Sequence, residues 1–549
     1  MLRRDPGGWL LRWDEAHAAR AIEGGDWLNR TVADESEALA DAEPGRVLMI
    51  DGALPLAAGE LHDRALRLAG WFMAQGLERG AVVSFQLPNW WEAAVINLAA
   101  AMTGLVVNPI VPIYRDAEVG YMLKEARSRV VFTPHVFRNF DHAAMMRRLL
   151  PSLAPGTLLV AVRAALDGMA AFDELLAGPP AVGRRAVDPN AVKLLMYTSG
   201  TTGRPKGVLH SHNTLNADSV KQTAAMGLGP DDRTFSPSPL THISGYLWAL
   251  NAPWTCNLPV VMTDVWNAAE AFDAIRRHRC SYMLGATPFL QDLVAVARER
   301  GEALDSLRYF LCGGASVPPS LIREAAALFP NCVPFRVFGA TEAPTMTCGP
   351  ATRDGLALAA ETDGRLLRCE VRLVHPQTGD PVAEGEEGEI LVREPSMALG
   401  YAREEDNVEA YDADGFFRMG DLGRLVHGDH LICTGRKKDL IIRAGENISA
   451  REIEDVLFRS PLIDEVAVVS MPSARTGEAI CAFIVPAPGR SVGIAEVAAL
   501  VRDVGLARQK TPECVLLADE LPKTASGKVR KDLLRERAAA HARSLEAAR

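Results

Sequence analysis

The feature that most constrains the fold of this chain is a rhythm. From about Ala57 to Thr133, amphipathic runs such as LHDRALRLAGWFMAQGL alternate with short β-rich runs such as AVVSFQL and RVVFT. Apolar residues at helical spacing, followed by runs of β-formers, describe strands covered by helices. The expected result is a layered α/β body. The alternation resumes at VKLLMYTSG and continues through SYMLGA and SLRYFLCGGA, apolar strands that end in small or hydroxylated residues. Ligands in such folds gather at the carboxyl ends of strands, so function is expected there. The most membrane-like stretch, Ala93 to Ile113, is interrupted by Asn97, Thr103, Asn108, Pro109 and Pro112, and reads as a buried helix leading into a buried strand.

After about Leu366 the texture changes to short strands and turns (VRLVHPQTGDPV, EGEILV), as expected of a β-rich subdomain. Beyond the turn at Thr434 and Gly435, the run REIEDVLFRS places Ile453, Val456 and Leu457 on one helical face, and EVAVVSM and AICAFIV follow as strands. That pattern predicts a small, separate α+β domain. With 549 residues, 48% of them hydrophobic, the chain has material for at least two cores. Its net charge of -10 excludes a global positive field for DNA, RNA or anionic lipid, so anion sites must be local. Nine cysteines stand singly with no CxxC pair, which fits a reduced cytoplasm. The opening MLRRDPGGWLLRWDEAH breaks into Pro, Gly, Asp and Glu before any signal-peptide core.

The most specific element is YTSGTTGRPKG, Tyr197 to Gly207, placed directly after the strand VKLLM and before a helix expected to start near Ser211 or Asn213. Gly200, Gly203 and Gly207 allow a tight turn and close approach to an anion. Thr198, Ser199, Thr201 and Thr202 add hydroxyl donors, and Lys206 adds a compact positive charge suited to a polyphosphate. The Walker spacing fails because Pro205 precedes Lys206, which disfavours a P-loop kinase or GTPase.

This loop closely resembles the signature of the adenylate-forming superfamily of acyl- and aryl-CoA ligases, luciferases and peptide-synthetase adenylation domains. PLTHISG, GGA, FGATE, GFFRMGD, GRKKDLIIRAGENIS and LPKTASGK follow in the family's order, from about residue 30 to residue 531. The resemblance implies an α/β fold: a large layered N-terminal domain with parallel-rich sheets and a small β-rich subdomain, residues 1–435, then a small mobile α+β C-terminal domain, residues 436–549. It also implies AMP-forming acyl-CoA synthetase chemistry with ATP, Mg²⁺ and coenzyme A, in which an acyl adenylate forms first and a thioester second.

The family's roles carry over residue by residue. In FGATE, Thr341 would touch the α-phosphate and Glu342 would hold Mg²⁺, a hard cation that needs a carboxylate ligand. Phe338 replaces the usual tyrosine, keeping a ring for adenine but losing a phenol, and Gly339 follows it. Gly313, Gly314 and Ala315 would lie along adenine and the acyl group; alone they would read as a plain turn. Asp421 resembles the acceptor of both ribose hydroxyls; Met419 stands where threonine is common. Arg436 would sit near ribose and phosphates, and Lys438 at the hinge between domains. Lys528 would bridge the incoming carboxylate and the α-phosphate as a catalytic cation. His242 would position and gate the acyl tunnel.

By the same resemblance Ser244, Gly245, Trp248, Gly339, Thr345 and Met346 would line a largely apolar acyl pocket. No Lys or Arg is among them, so a neutral cyclic, aromatic or medium-chain carboxylic acid is the expected substrate. Amino-acid activation is disfavoured, because no Asp stands near Ser244 to bind an α-ammonium. The alternatives are an acyl-AMP ligase loading a carrier protein, a luciferase-like monooxygenase, and a non-catalytic binding protein, which would have lost Lys528, Glu342 or Asp421. The expected partners are the small acid, ATP and CoA, without nucleic acid or an integral membrane segment; a homodimer is a possible assembly.

Overall fold

The computed structural model describes residues 2–181, 183–198, 204–314, 317–443, 446–473, 475–523 and 529–547. Ser199, Gly200, Thr201, Thr202, Gly203, Ala315 and Lys528 therefore lie outside the described residues. The chain divides into two compact units, residues 1–370 with 393–415, and residues 371–392 with 416–549.

The first unit contains two large sheets. One has eight strands, among them Val82–Phe85, Val106–Pro109, Val130–Pro134, Val192–Thr198, Lys206–Ser211 and Gly400–Tyr401. The other has seven, among them Val47–Asp51, Thr234–Ser236, Val260–Met262, Tyr282–Gly285, Tyr309–Cys312 and Val333–Arg336. Most neighbours are parallel, so both sheet faces must be covered.

The sequence meets that demand by alternation. Val83, Leu194 and Met196 share one core with Met49, Val260 and Tyr282 of the second sheet, together with the helices Ala58–Ala74 and Trp91–Thr103. Their neighbours Val82, Leu195 and Tyr197 point the other way, onto Val119, Met122 and Leu123. Val261, Met283 and Phe310 likewise face Phe272, Ile275, Leu290 and Leu293. Period-two burial on both faces yields the expected layered body.

The stretch with membrane-like composition is the helix Trp91–Thr103 followed by Val106–Pro109, buried throughout apart from Trp91 at the helix start. No helix among the described residues is long and apolar enough to cross a membrane.

In the second unit, Gly388–Arg393, Phe417–Val426 and His430–Arg436 form an antiparallel meander. A separate five-stranded sheet centres on Ile463–Ser473 and Gly477–Pro486. Its alternate residues Val468, Ile480, Ala482 and Ile484 pack on Ile453, Leu457, Val497 and Val501. The opposite face, with Val469, Cys481 and Phe483, packs on Leu534 and Ala538 of the helix Lys531–Ala547.

Candidate active site

The strand Val192–Thr198 pairs antiparallel with Lys206–Ser211, with Thr198 opposite Lys206. Both ends of the glycine-rich segment are thereby held, and the Thr198 hydroxyl reaches the Lys206 carbonyl at 3.5 Å. The helix that follows, His212–Met226, begins where a cap is available: Ser211 Oγ accepts the Thr214 amide at 3.2 Å. Lys206 Nζ lies 3.5 Å from Asp406 and 5.0 Å from the centre of the Tyr401 ring, and Arg204 donates to the same Asp406 at 3.0 Å.

Tyr401 is the connecting residue. The short strand Gly400–Tyr401 continues the sheet beside Val208 and Leu209, and the buried Tyr401 hydroxyl donates to Glu342 Oε1 at 2.6 Å. The Glu342 carbonyl accepts the Ala398 amide at 2.8 Å. His210, on the strand Lys206–Ser211, contacts the Thr341 carbonyl through Nε2 at 2.7 Å. The hairpin cation, Thr341 and the Glu342 carboxylate are thus brought into one neighbourhood.

His210 is fully buried, and burial pushes its pKa down from 6.5 to about 4. The unfolded chain takes up this proton as pH falls past about 6.5, whereas the folded chain holds it off until about 4. The imidazole's contribution to stability is therefore full above 6.5 and lost as pH falls towards 4. Glutamine cannot titrate, so the Tm of the native chain minus that of His210→Gln is expected to shrink between pH 6.5 and pH 4; a constant difference in thermal melts would contradict this.

Phe338 to Met346 form a tight turn, closed by Met346 N to Phe338 O at 3.0 Å and Ala340 N to Ala343 O at 2.8 Å. A side chain at Gly339 would put its Cβ 2.0 Å from the Pro344 carbonyl oxygen, so only glycine closes this turn. Phe338 is half-buried, and its amide donates to the Thr347 hydroxyl at 2.8 Å. Gly313 and Gly314 leave the strand Tyr309–Cys312, whose neighbour Val333–Arg336 leads into this turn. Gly314 adopts φ +82°, which side chains resist.

His242 caps the short helix Ile243–Tyr246, its Nδ1 lying 3.3 Å from the Ser244 hydroxyl. That helix, which holds Gly245, loosens into a π turn, Leu247–Asn251, a form that recurs at functional sites. Trp248 on this turn is buried against Tyr282, ring centres 4.0 Å apart. Met346 is fully buried. Thr345 departs from an apolar lining: its hydroxyl accepts from Gln222 Nε2 at 2.8 Å and donates to Asp218 at 3.3 Å. Asp218 in turn neighbours Lys221, which donates to Glu394 at 2.7 Å, all buried.

In the second unit, Asp421 and Arg436 face each other across the meander, Nε to Oδ1 at 3.0 Å. Lys438 is exposed in a 3₁₀ turn, Lys437–Asp439, and burial of its stem together with the nearby Arg436 charge lowers its pKa. Sequence reasoning missed Tyr401, Asp406, His210, Asp218, Gln222 and Tyr282. Tyr401 directly follows Gly400 in GYAREEDN, a glycine–aromatic pair that was the one available signal.

An AMP-binding enzyme model matches residues 36–402, and an AMP-binding enzyme C-terminal domain model matches residues 452–528. The chain belongs to the AMP-binding enzyme family. This AMP-binding enzyme is 32% identical over 535 residues to a medium-chain fatty-acid–CoA ligase of Escherichia coli, covering 96% of this chain and 94% of the relative. It is 30% identical over 561 residues to a salicylyl-CoA synthase/salicylate adenylyltransferase of a Streptomyces species, covering 98% and 99%. Among solved structures, ATP-bound MatB from Rhodopseudomonas palustris superposes with TM-score 0.82 at 27% identity, covering 92% of this chain and 98% of that one.

Proposed function

We propose that this AMP-binding enzyme converts a neutral cyclic, aromatic or medium-chain carboxylic acid into its acyl adenylate and then into its CoA thioester. The observation that carries the reading is the Lys206–Tyr401–Glu342 arrangement, in which a phosphate-suited cation lies over the ring of the tyrosine whose hydroxyl bonds a cation-suited carboxylate. The relatives named for a medium-chain fatty acid and for salicylate bracket the acyl class.

A carboxylate is a poor electrophile, so one of its oxygens first attacks the α-phosphorus of ATP. The bond to the bridging oxygen breaks, and pyrophosphate leaves. The CoA thiolate then attacks the acyl carbon of the mixed anhydride, and AMP departs with the bonding pair. Lys206 and the loop hydroxyls hold the polyphosphate, Thr341 the α-phosphate, and Asp421 the ribose hydroxyls. Lys528 draws the carboxylate onto phosphorus. Rotation of residues 436–549 about Lys438 withdraws Lys528 and admits the thiol.

Among the described residues no three His, Cys, Asp or Glu side chains cluster as a metal site. Glu342 is the residue that would hold Mg²⁺, a hard cation suited to a carboxylate oxygen. When bound, the cation supplies charge neutralisation at phosphate oxygens.

The test is incubation with ATP, Mg²⁺, CoA and a panel of aliphatic, alicyclic and aromatic acids, scoring pyrophosphate, AMP and acyl-CoA by mass spectrometry. Acyl-CoA with stoichiometric AMP is expected. Acyl-AMP and pyrophosphate without thioester would move the acceptor to a carrier protein. Silence across the panel would end the ligase reading.

A further inference from the structure

Behind the acyl-lining residues lies a concentration of buried polar atoms with no hydrogen-bond partner. Gln222 spends both amide protons, one on Asp218 Oδ2 at 2.5 Å and one on Thr345 Oγ1 at 2.8 Å. Those two acceptors fix the orientation of its amide, and its carbonyl Oε1 is left buried and unpartnered. Asp218 Oδ1 has no hydrogen bond either, only the Lys221 ammonium at 3.4 Å. On the other side, Trp248 and Tyr282 stack with ring centres 4.0 Å apart, and both Trp248 Nε1 and the Tyr282 hydroxyl are buried without a partner. Trp248 is 2% exposed and Tyr282 not at all. Asn251, at the end of the turn that bears Trp248, donates to Asn216 Oδ1 and to Ser219 Oγ at 3.2 Å each, so this turn packs on the helix that bears Asp218 and Gln222.

Buried polar groups in a folded chain are nearly always paired, and each exception calls for a reason. Here the unpartnered set is complementary. Trp248 Nε1 can only donate, Gln222 Oε1 can only accept, and the Tyr282 hydroxyl can do either, whereas Asp218 Oδ1 already has the Lys221 ammonium. One ligand hydroxyl that accepts from Trp248 and Tyr282 and donates to Gln222 would satisfy these three. A purely apolar acyl chain would leave all three unpaired. An ammonium would satisfy the acceptors but would face the indole N–H.

We propose that the acyl site of this chain is built for a carboxylic acid bearing an uncharged hydroxyl group remote from its carboxylate, received between Trp248, Tyr282 and Gln222. The proposal rests on the adenylation reading above and narrows its substrate class. Asp218 and Thr345 act on the substrate by holding the Gln222 amide in its orientation; they are positioning residues. Gln222, Tyr282 and Trp248 make the direct contacts.

The experiment compares matched acids through pyrophosphate release by the full-length chain: cyclohexanecarboxylate with its 3- and 4-hydroxy derivatives, benzoate with 3- and 4-hydroxybenzoate, and octanoate with 8-hydroxyoctanoate. At least one hydroxylated acid is expected to exceed its parent in kcat/KM by about tenfold or more, the scale of one net hydrogen bond in a dry site. Tyr282→Phe is expected to bring that ratio, measured for each pair within the variant, towards one. Because the lost hydroxyl has no partner in the free enzyme, Tyr282→Phe is expected to keep or raise Tm, which separates lost recognition from lost folding.

Parents turned over as well as their hydroxylated partners in every pair would overturn the proposal and leave the ligase reading standing. So would a hydroxyl preference that survives both Tyr282→Phe and Gln222→Leu, or a stronger preference for aminomethyl analogues. No pyrophosphate from any acid would instead remove the adenylation reading, and this proposal with it.

Discussion

Replacement of Lys528 by alanine is expected to slow pyrophosphate release by about 10²–10³-fold while leaving the second half-reaction within a few-fold of the native rate. The magnitude is that of removing one preorganised cation or donor from a charge that develops at the transition state, about 3–4 kcal/mol of barrier. The asymmetry follows from the proposed sequence of events: the ammonium is needed while a carboxylate meets phosphorus and must be absent when the thiol arrives. Lys528 itself lies outside the described residues, but its flanks do not. Lys523 and Val529, on either side of it in the sequence, form an antiparallel bridge. Lys523 pairs with Glu465 at 2.8 Å with both side chains partly exposed, and such pairs contribute little. Lys523→Ala is the matched control, expected to change either half-reaction less than about twofold. Pyrophosphate release measured alone, and thioester formation measured from synthetic acyl-AMP, read the two steps separately. Equal losses in both would overturn the assignment.

The second large effect is expected at Glu342. Glutamine preserves the shape and can still accept the Tyr401 hydroxyl, but removes the charge that a hard divalent cation requires. Adenylation is expected to fall about 10²-fold, with a Mg²⁺ dependence that no longer saturates at concentrations saturating the native enzyme. Tyr401→Phe deletes the 2.6 Å hydrogen bond to Glu342 while leaving the carboxylate, so a loss of about tenfold is expected, the worth of a hydrogen bond to a charged group. That ordering separates a ligand from the residue that orients it. Glu342→Gln retaining activity within threefold at equal Mg²⁺ would remove the metal role.

The layered body was legible because amphipathic helical runs alternate with short apolar runs, and strands buried on both faces stay apolar at consecutive positions, as Val82 and Val83 or Val260 and Val261 do. The start of the helix after the phosphate hairpin was legible for a local reason too, since Ser211 caps an amide only three residues on. The supports of the site were not. Tyr401 reaches Glu342 across 59 positions, His210 reaches Thr341 across 131, and Arg204 reaches Asp406 across 202. No periodicity or spacing rule spans such separations, because the sheet order and not the chain sets them. The buried polar cluster around Thr345 escaped for another reason. Asp218, Lys221 and Gln222 sit on a helix buried nearly all round, so no solvent-facing stripe marks which of its polar residues meet each other.

The pairing of Thr198 with Lys206 has a consequence for nucleotide affinity. The seven residues from Ser199 to Pro205 span a gap whose two ends the sheet already holds in register. Joining those ends is settled when the chain folds, so a nucleotide bound between them would not bear the entropy of closing a loop. Affinity for ATP therefore inherits the integrity of one β-ladder. A change that frays the Val192–Thr198 edge would weaken nucleotide binding well before it lowered the melting temperature, because local opening requires far less free energy than global unfolding.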